Sequence, residues 1–164
     1  MTMNENDIRI DKDGIWYYRG AHMFRKDILC IFFEHLKRDD SGRYFIELNG
    51  EICGLEVEDT AFVVTAVCKI QDACGSETLE ILLSDDRKEA LDAGTLAVGK
   101  DNVLYCRVKN DRFPARFTRK SYYQLAEFIE PDGDENEFCV VFDGRKYPIA
   151  LASHNHDNGG NHVR

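Results

Sequence analysis

The 164-residue chain is poor in proline, with 3 residues, and has only 12 glycines and one tryptophan. That excludes the Pro- and Gly-rich compositions of extended linkers and collagen-like chains. It holds no stretch near the roughly 18 or more uninterrupted apolar residues that a spanning helix needs. Its opening Met1-Thr2-Met3-Asn4-Glu5-Asn6-Asp7 carries neither the basic nor the apolar region of a secretory signal. These absences predict a cytoplasmic protein with no membrane partner. Basic residues are in deficit, 21 against 30 acidic ones for a formal charge of -9, which disfavours binding to a DNA or RNA backbone. The six cysteines include no Cys-x-x-Cys pair and mostly stand inside apolar runs, such as Ile28-Leu29-Cys30-Ile31. Reduced, mostly buried thiols are expected, and redox sensing through Cys68 and Cys74 would need an exposed, low-pKa thiolate. No set of nucleophile, base and orienting group is legible, so no catalytic residue is assigned and no cofactor is implied.

What is present is a folded composition, 43% hydrophobic and 31% charged, of a length that suits one domain or two small lobes. The order of features in residues 12–57 recurs in residues 100–151. Lys12-Asp13-Gly14-Ile15-Trp16-Tyr17-Tyr18-Arg19 and Lys100-Asp101-Asn102-Val103-Leu104-Tyr105-Cys106-Arg107 each read as a polar turn followed by a short aromatic strand. Asp27 and Ser121 are residue types that cap a helix. Leu29, Phe32, Phe33 and Leu36, and then Tyr122, Leu125, Ala126 and Ile129, have the spacing of a single helical apolar stripe. Acidic loops follow both. Asn49-Gly50 and Asp143-Gly144 then suit the positive φ angles of tight hairpins, and Lys109-Asn110-Asp111 suggests an additional hairpin turn in the second copy.

Between the copies, Ala61 to Ile70 and Thr78 to Leu83 read as two strands extending the first sheet. The expected fold is α+β, two similar small lobes each with an antiparallel sheet and one helix. The expected division is an N-terminal lobe at 8–83, a connector at 84–99, a C-terminal lobe at 100–151 and a polar, His-containing tail at 152–164.

Three motifs fail on inspection. Gly94 to Lys100 nearly spells a phosphate-binding loop, but Asp101 stands where a Mg-binding hydroxyl is needed and a strand follows. Asp132, Asp134, Asn136 and Asp143 have the spacing of a calcium loop, but Glu137 replaces its glycine. His154, His156, Asp157 and His162 are metal-ligand types in a Gly-rich tail that holds no preformed site. No metal site is assigned.

The strongest functional pattern is the basic residues at the two helix starts. Arg25 and Lys26 precede one helix, Arg116, Arg119 and Lys120 the other, and helix N-termini add exposed amides. If the lobes face each other, these groups converge on one anion, with Trp16 or Tyr122 stacking on a base. Alternatively they pair with carboxylates, Glu58 and Asp59 in particular, and hold the lobes together. A ligand binder directs them into an open cleft, and an interaction module leaves them neutralised.

At Asp13-Gly14-Ile15-Trp16, Arg25, Asp40-Ser41-Gly42-Arg43-Tyr44, Val57-Glu58-Asp59-Thr60-Ala61-Phe62 and Ala115-Arg116-Phe117-Thr118-Arg119, the chain resembles the bacterial domain-of-unknown-function family DUF1285. The resemblance implies a duplicated α+β core, a second lobe similar to pleckstrin-homology folds, a nucleotide-like ligand between the lobes and a role in signalling. It brings no catalytic residues. The expectation is a non-enzymatic protein binding a small anionic ligand through Trp16, Arg25, Asp59, Arg116, Arg119 and Tyr122. The alternative is a structural or protein-interaction module without a small ligand.

Overall fold

A computed structural model describes residues 7–133 and 137–151. The histidine tail, and Asp134 and Asn136 of the calcium-loop spacing, lie outside the described residues. The first part of the chain forms β1 (Ile8–Ile10), β2 (Trp16–Tyr18), β3 (Ala21–His22), α1 (Lys26–Glu34), β4 (Leu36–Arg38), β5 (Tyr44–Leu48), β6 (Glu51–Gly54) and β7 (Glu56–Val57). A meander follows, β8 (Phe62–Gln71), β9 (Glu77–Leu83) and β10 (Lys88–Ala90). The last part forms β11 (Ala97–Val98), β12 (Leu104–Val108), β13 (Phe113–Phe117), α2 (Arg119–Ala126), β14 (Ile129–Pro131), β15 (Phe138–Phe142), β16 (Arg145–Pro148) and β17 (Ala150–Leu151). The fold is α+β, with an all-antiparallel three-stranded sheet following each helix and two further sheets that each include at least one parallel pair.

One local device builds three of the connections. In Asp11 to Ile15, Asp39 to Arg43 and Asp72 to Ser76, the first aspartate's amide donates to the fifth residue's carbonyl and the glycine's amide to the aspartate's carbonyl. The same carboxylate oxygen accepts the amides of the third and fifth residues. Gly14, Gly42 and Gly75, at φ +85°, +90° and +89°, supply the left-handed position that closes such a loop. Two conspicuous sequence motifs, Asp-Gly-x-Trp and Asp-x-Gly-x-Tyr, are therefore largely turn chemistry. The Asn49-Gly50 and Asp143-Gly144 hairpins form as expected, with φ 54° and 80° in one and 55° and 72° in the other.

The strand pairings recur in the two halves. β1 pairs antiparallel with β2 and parallel with β7, and β11 pairs antiparallel with β12 and parallel with β17. By register, Ile10 lies between Trp16 and Val57 as Val98 lies between Leu104 and Leu151. The sheets β4-β5-β6 and β14-β15-β16 also match. Even single connecting bonds recur, Glu47 N to His35 O alongside Val141 N to Phe128 O, and Leu55 N to Tyr44 O alongside Ile149 N to Phe138 O.

The halves differ at one edge. β3 is short and exposed, whereas the matching β13 is longer and pairs parallel with β8, Ala115 opposite Phe62. The meander therefore joins the sheet of the second half, in the order β10-β9-β8-β13-β12-β11-β17, instead of extending the first sheet as its sequence position suggested. Residues 84–99 are correspondingly not a bare connector, since β10 and β11 lie within them. The Gly94 to Asp101 segment is two single turns around β11, with no helix after it.

α2 holds this junction. Thr118, not Ser121, caps the helix by accepting the Ser121 amide, and the buried Ser121 hydroxyl donates to Val64 O at 2.7 Å. Gln124 Oε1 accepts the Val67 amide at 2.8 Å, just beyond the irregularity between Val64 and Ala66 in the β8–β9 register. Buried backbone groups released by the bulge are thus paired by the helix. Arg25 occupies the matching position of α1 but gives no side-chain cap, and Asp27 is inside the first turn, paired with Arg25.

The buried residues of both halves form one continuous core that includes Trp16, Phe33, Phe62, Phe113, Leu125 and Val140. Of the cysteines, Cys53, Cys106 and Cys139 are buried, Cys30 is half-buried, and Cys68 and Cys74 are exposed. The expectation of mostly buried thiols holds for only half of them, because β8 carries Cys68 outward beyond the part of the strand that α2 covers and Cys74 sits in a turn.

Candidate functional site

The six residues singled out from sequence do not gather in one cavity. Trp16 is 2% exposed, with its ring edge-on to Phe33 at 5.0 Å and tilted to Phe32 at 6.0 Å, so neither α1 nor β2 leaves a face for a base. Arg25 is exposed beside an apolar depression with Phe24 and Ile28, and its guanidinium binds Asp27 at 2.6 and 3.2 Å. Tyr122 lines a separate depression in the second half. Arg119 is exposed on α2 with no ion-pair partner among the described residues.

Asp59 and Arg116 do meet. Asp59 follows β7 and Arg116 projects from β13, and Asp59 Oδ2 accepts Arg116 Nη1 and the Tyr105 hydroxyl, each at 2.8 Å. The cluster links the end of the first half to two strands of the second. Burial, then the bond to Asp59, pushes the Tyr105 phenol up to about 12. A raised pKa means that the folded state favours the neutral phenol. Its contribution is full below about pH 10 and is lost as the pH rises toward about 12. Tyr105→Phe should therefore be less stable than the wild type at neutral pH, by about 1.5–3 kcal/mol for a hydrogen bond to a charged group. Urea unfolding across the alkaline range should show that difference shrinking, while the buried Cys106 thiol, also pushed up to about 12, titrates alike in both proteins.

Asp59 also borders a groove of about 650 Å³ with Arg38, Gly42, Arg43, Tyr44, Val57 and Pro114. Family-like sequence motifs from positions 42–44 and 57–59 thus come together. The groove is not basic, since its two arginines, Arg43 paired with Asp39 at 3.7 Å and Arg38 lying over the Tyr44 ring, share the lining with three carboxylates, Asp39, Glu56 and Asp59.

A second cleft is more basic. It has a volume of about 230 Å³ and is made by four separate parts of the chain: Cys30, Phe33, Glu34 and Leu36 from α1 and the start of β4; Phe62 from β8; Asp85 and Arg87 from the β9–β10 turn; and Lys109, Arg112 and Phe113 from the β12–β13 hairpin. Phe33, Phe62 and Phe113 pack in series beneath it, with centroids 5.1 and 5.0 Å apart. Arg87 binds Glu34 at 2.9 Å, and Lys109 binds the buried Asp85 at 2.7 Å while lying 5.3 Å from the centre of the Phe62 ring. Arg112 lies over Phe113 and donates to Lys109 O, with no carboxylate partner among the described residues. Three cations thus face two carboxylates. The Cys30 thiol, 3.8 Å from Glu34 Oε2, stands at the edge of the same space.

Sequence reasoning placed a turn at 109–111 but not a site, and assigned Asp85 and Arg87 to a connector. The sole sequence signal was Lys109 and Arg112 flanking Asn110-Asp111. Lys109, Asn110 and Asp111 take φ of 57°, 58° and 66°, which folds Arg112 back beside Lys109. Asp143 of the calcium-loop spacing is committed elsewhere, exchanging two backbone-to-carboxylate bonds with Glu77. Among the described residues no cluster of three or more His, Cys, Asp or Glu could hold a metal ion. No helix there is long and apolar enough to cross a membrane.

Residues 1–60 match the family model of the domain of unknown function DUF1285, N-terminal domain. The fold is that of a DUF1285 family protein from Silicibacter pomeroyi DSS-3, with a TM-score of 0.72, 23% identity, and 92% of this chain and 84% of that one covered. A DUF1285 family protein from Shewanella baltica OS155 is similar with a TM-score of 0.60 and 19% identity, over 74% of this chain and 91% of that one. No curated protein matches the chain. The resemblance read from the sequence is thereby borne out, and it brings no activity with it.

Proposed function

We propose that this protein binds a small anionic ligand, a nucleotide-like one being the class the resemblance suggests, in the cleft between α1 and the β12–β13 hairpin. The reading is non-enzymatic, and a signalling role follows if occupancy changes how the two halves sit together. The observation that carries it is the unpaired Arg112 beside Arg87 and Lys109, over a floor of three phenylalanines, where distant parts of the chain meet. A net-negative molecule that keeps an excess cation in a concave, aromatic-floored site has a local attraction for an anion. The net charge of -9 argues against a nucleic-acid backbone as partner.

The test is a thermal-shift series with inorganic phosphate, mononucleotides and cyclic dinucleotides. At a ligand concentration 100 times Kd, binding stabilises by about 2.7 kcal/mol. Arg112→Ala should abolish the shift with little change in the melting temperature of the free protein, because Arg112 has no ion pair to lose. Arg25→Ala, remote from the cleft lining, should retain it. Occupancy should also slow alkylation of Cys30 relative to the exposed Cys68 and Cys74.

The second reading, an interaction module, is favoured by a different observation. Arg25, Lys26 and Arg116 are neutralised by Asp27, Asp86 and Asp59, as expected of residues that hold structure together. A panel without any shift or Cys30 protection decides for this second reading.

A further inference from the structure

The internal repeat reveals an apolar pocket in the second half that the first half fills with its own side chains. Register aligns Trp16 with Leu104, since each is paired across the sheet with the residue (Ile10 or Val98) that also pairs with the last short strand. Counting from the two helix caps, Arg25 and Thr118, aligns Phe33 with Ala126. In the first half Trp16 and Phe33 pack edge to face and are buried. In the second half the same two positions hold Leu and Ala, and a cavity of about 630 Å³ opens there. Its rim exposes what its counterpart buries: Phe138 is 45% exposed, whereas Tyr44, which makes the matching backbone bond, is 7%.

The lining decides the chemistry. It is apolar apart from Asn102 and the Tyr122 ring, and no charged side chain belongs to it. Its volume lies in the range of small-molecule pockets. We infer that the second half binds a small, flat, uncharged aromatic molecule between α2 and the β11-β12-β17 strands, in the space that the Trp16 and Phe33 rings occupy in the first half. The site is separate from the charged cleft and shares no lining residue with it. The chain's own polar tail is a poor occupant, having only Ala152 and Val163 as apolar residues in 152–164.

Indole serves as the probe, with benzoate as a charged molecule of similar size. Ligand-observed NMR and calorimetry on the full chain should show saturable 1:1 binding of indole and weaker binding of benzoate. Ala126→Phe and Leu104→Trp, which restore first-half residues, should each weaken indole binding by at least about tenfold without lowering the melting temperature. If neither variant folds, methyl spectra of the wild type decide, with indole expected to shift Leu104 and Leu151 and to leave Leu36 and Leu48 in place. The inference is overturned by an absence of saturable binding, by undiminished binding in both folded variants, or by shifts spread equally over the two halves. It is also overturned if the protein sediments as a dimer that Phe138→Ser dissociates, since a second copy then covers the face.

Discussion

Trp16→Ala is expected to cost about 3–5 kcal/mol of stability, the range for truncating a large, fully buried aromatic side chain. The side chain lies against Phe32 and Phe33, and through Phe33 it touches the aromatic series that continues to Phe62 and Phe113. Removing the ring leaves a cavity where α1 meets β2 and loosens one wall of the charged cleft. Trp16→Phe should cost much less than that. Trp16 Nε1 is buried without a hydrogen-bond partner, and deleting an unsatisfied donor recovers part of a desolvation cost of about 1–3 kcal/mol. Urea denaturation of both variants checks the pair of values. A cost under about 1 kcal/mol for alanine is incompatible with a ring that supports this core.

Gly14→Ala should be the most damaging single-methyl change in the chain. Its φ of +85° is a left-handed conformation, and a Cβ built there lies 2.8 Å from Val63 Cγ2 and 3.2 Å from Val63 Cβ. The backbone conformation alone costs a non-glycine residue roughly 1–2 kcal/mol, and forcing a methyl group against a packed side chain adds about 1–3 kcal/mol. Val63 is in the buried part of β8 and cannot yield freely. Gly50→Ala is the control, because its φ is +80° but nothing lies within 4 Å of the added carbon. The two variants share the backbone penalty, so the difference between their unfolding free energies isolates the contact with β8. Equal losses would show that Gly14 matters only as a turn residue.

The two substitutions show how sequence signals divide between local and long-range causes. The Asp-x-x-Gly pattern at 11–14 declares a turn, since one carboxylate and one left-handed glycine satisfy amides within five residues of each other. Nothing in it reveals that Val63 lies over the glycine. Trp16 likewise reads as an aromatic residue in a short strand. Whether such a ring stacks on a ligand or fills a core depends on which helix covers it, and α1 covers it with Phe32 and Phe33. The cleft was illegible for the same reason, as Glu34, Arg87 and the Lys109–Arg112 turn stand far apart in sequence and meet only when a helix end, a strand and two turns converge. The basic helix starts were legible as charges, and so was Asp59 as a partner for one of them, but the pairing of Arg25 with Asp27 and of Lys26 with Asp86 was not.

By itself the sequence determined the α+β class, the presence of both helices though not their ends, since Leu36 and Ile129 of the expected stripes begin β4 and β14, the hairpins at Asn49-Gly50 and Asp143-Gly144, the turn at Lys109 to Asp111 and the recurrence of one order of elements. Each rests on spacing, capping and turn preferences that act over a few residues. The tertiary structure alone decided that β8 pairs parallel with β13, that the two halves share one core, and that the first half fills with Trp16 and Phe33 a space left open in the second. These outcomes depend on which edge strand remains free and which side chains meet across the resulting sheet, and neither is encoded within the reach of a local signal.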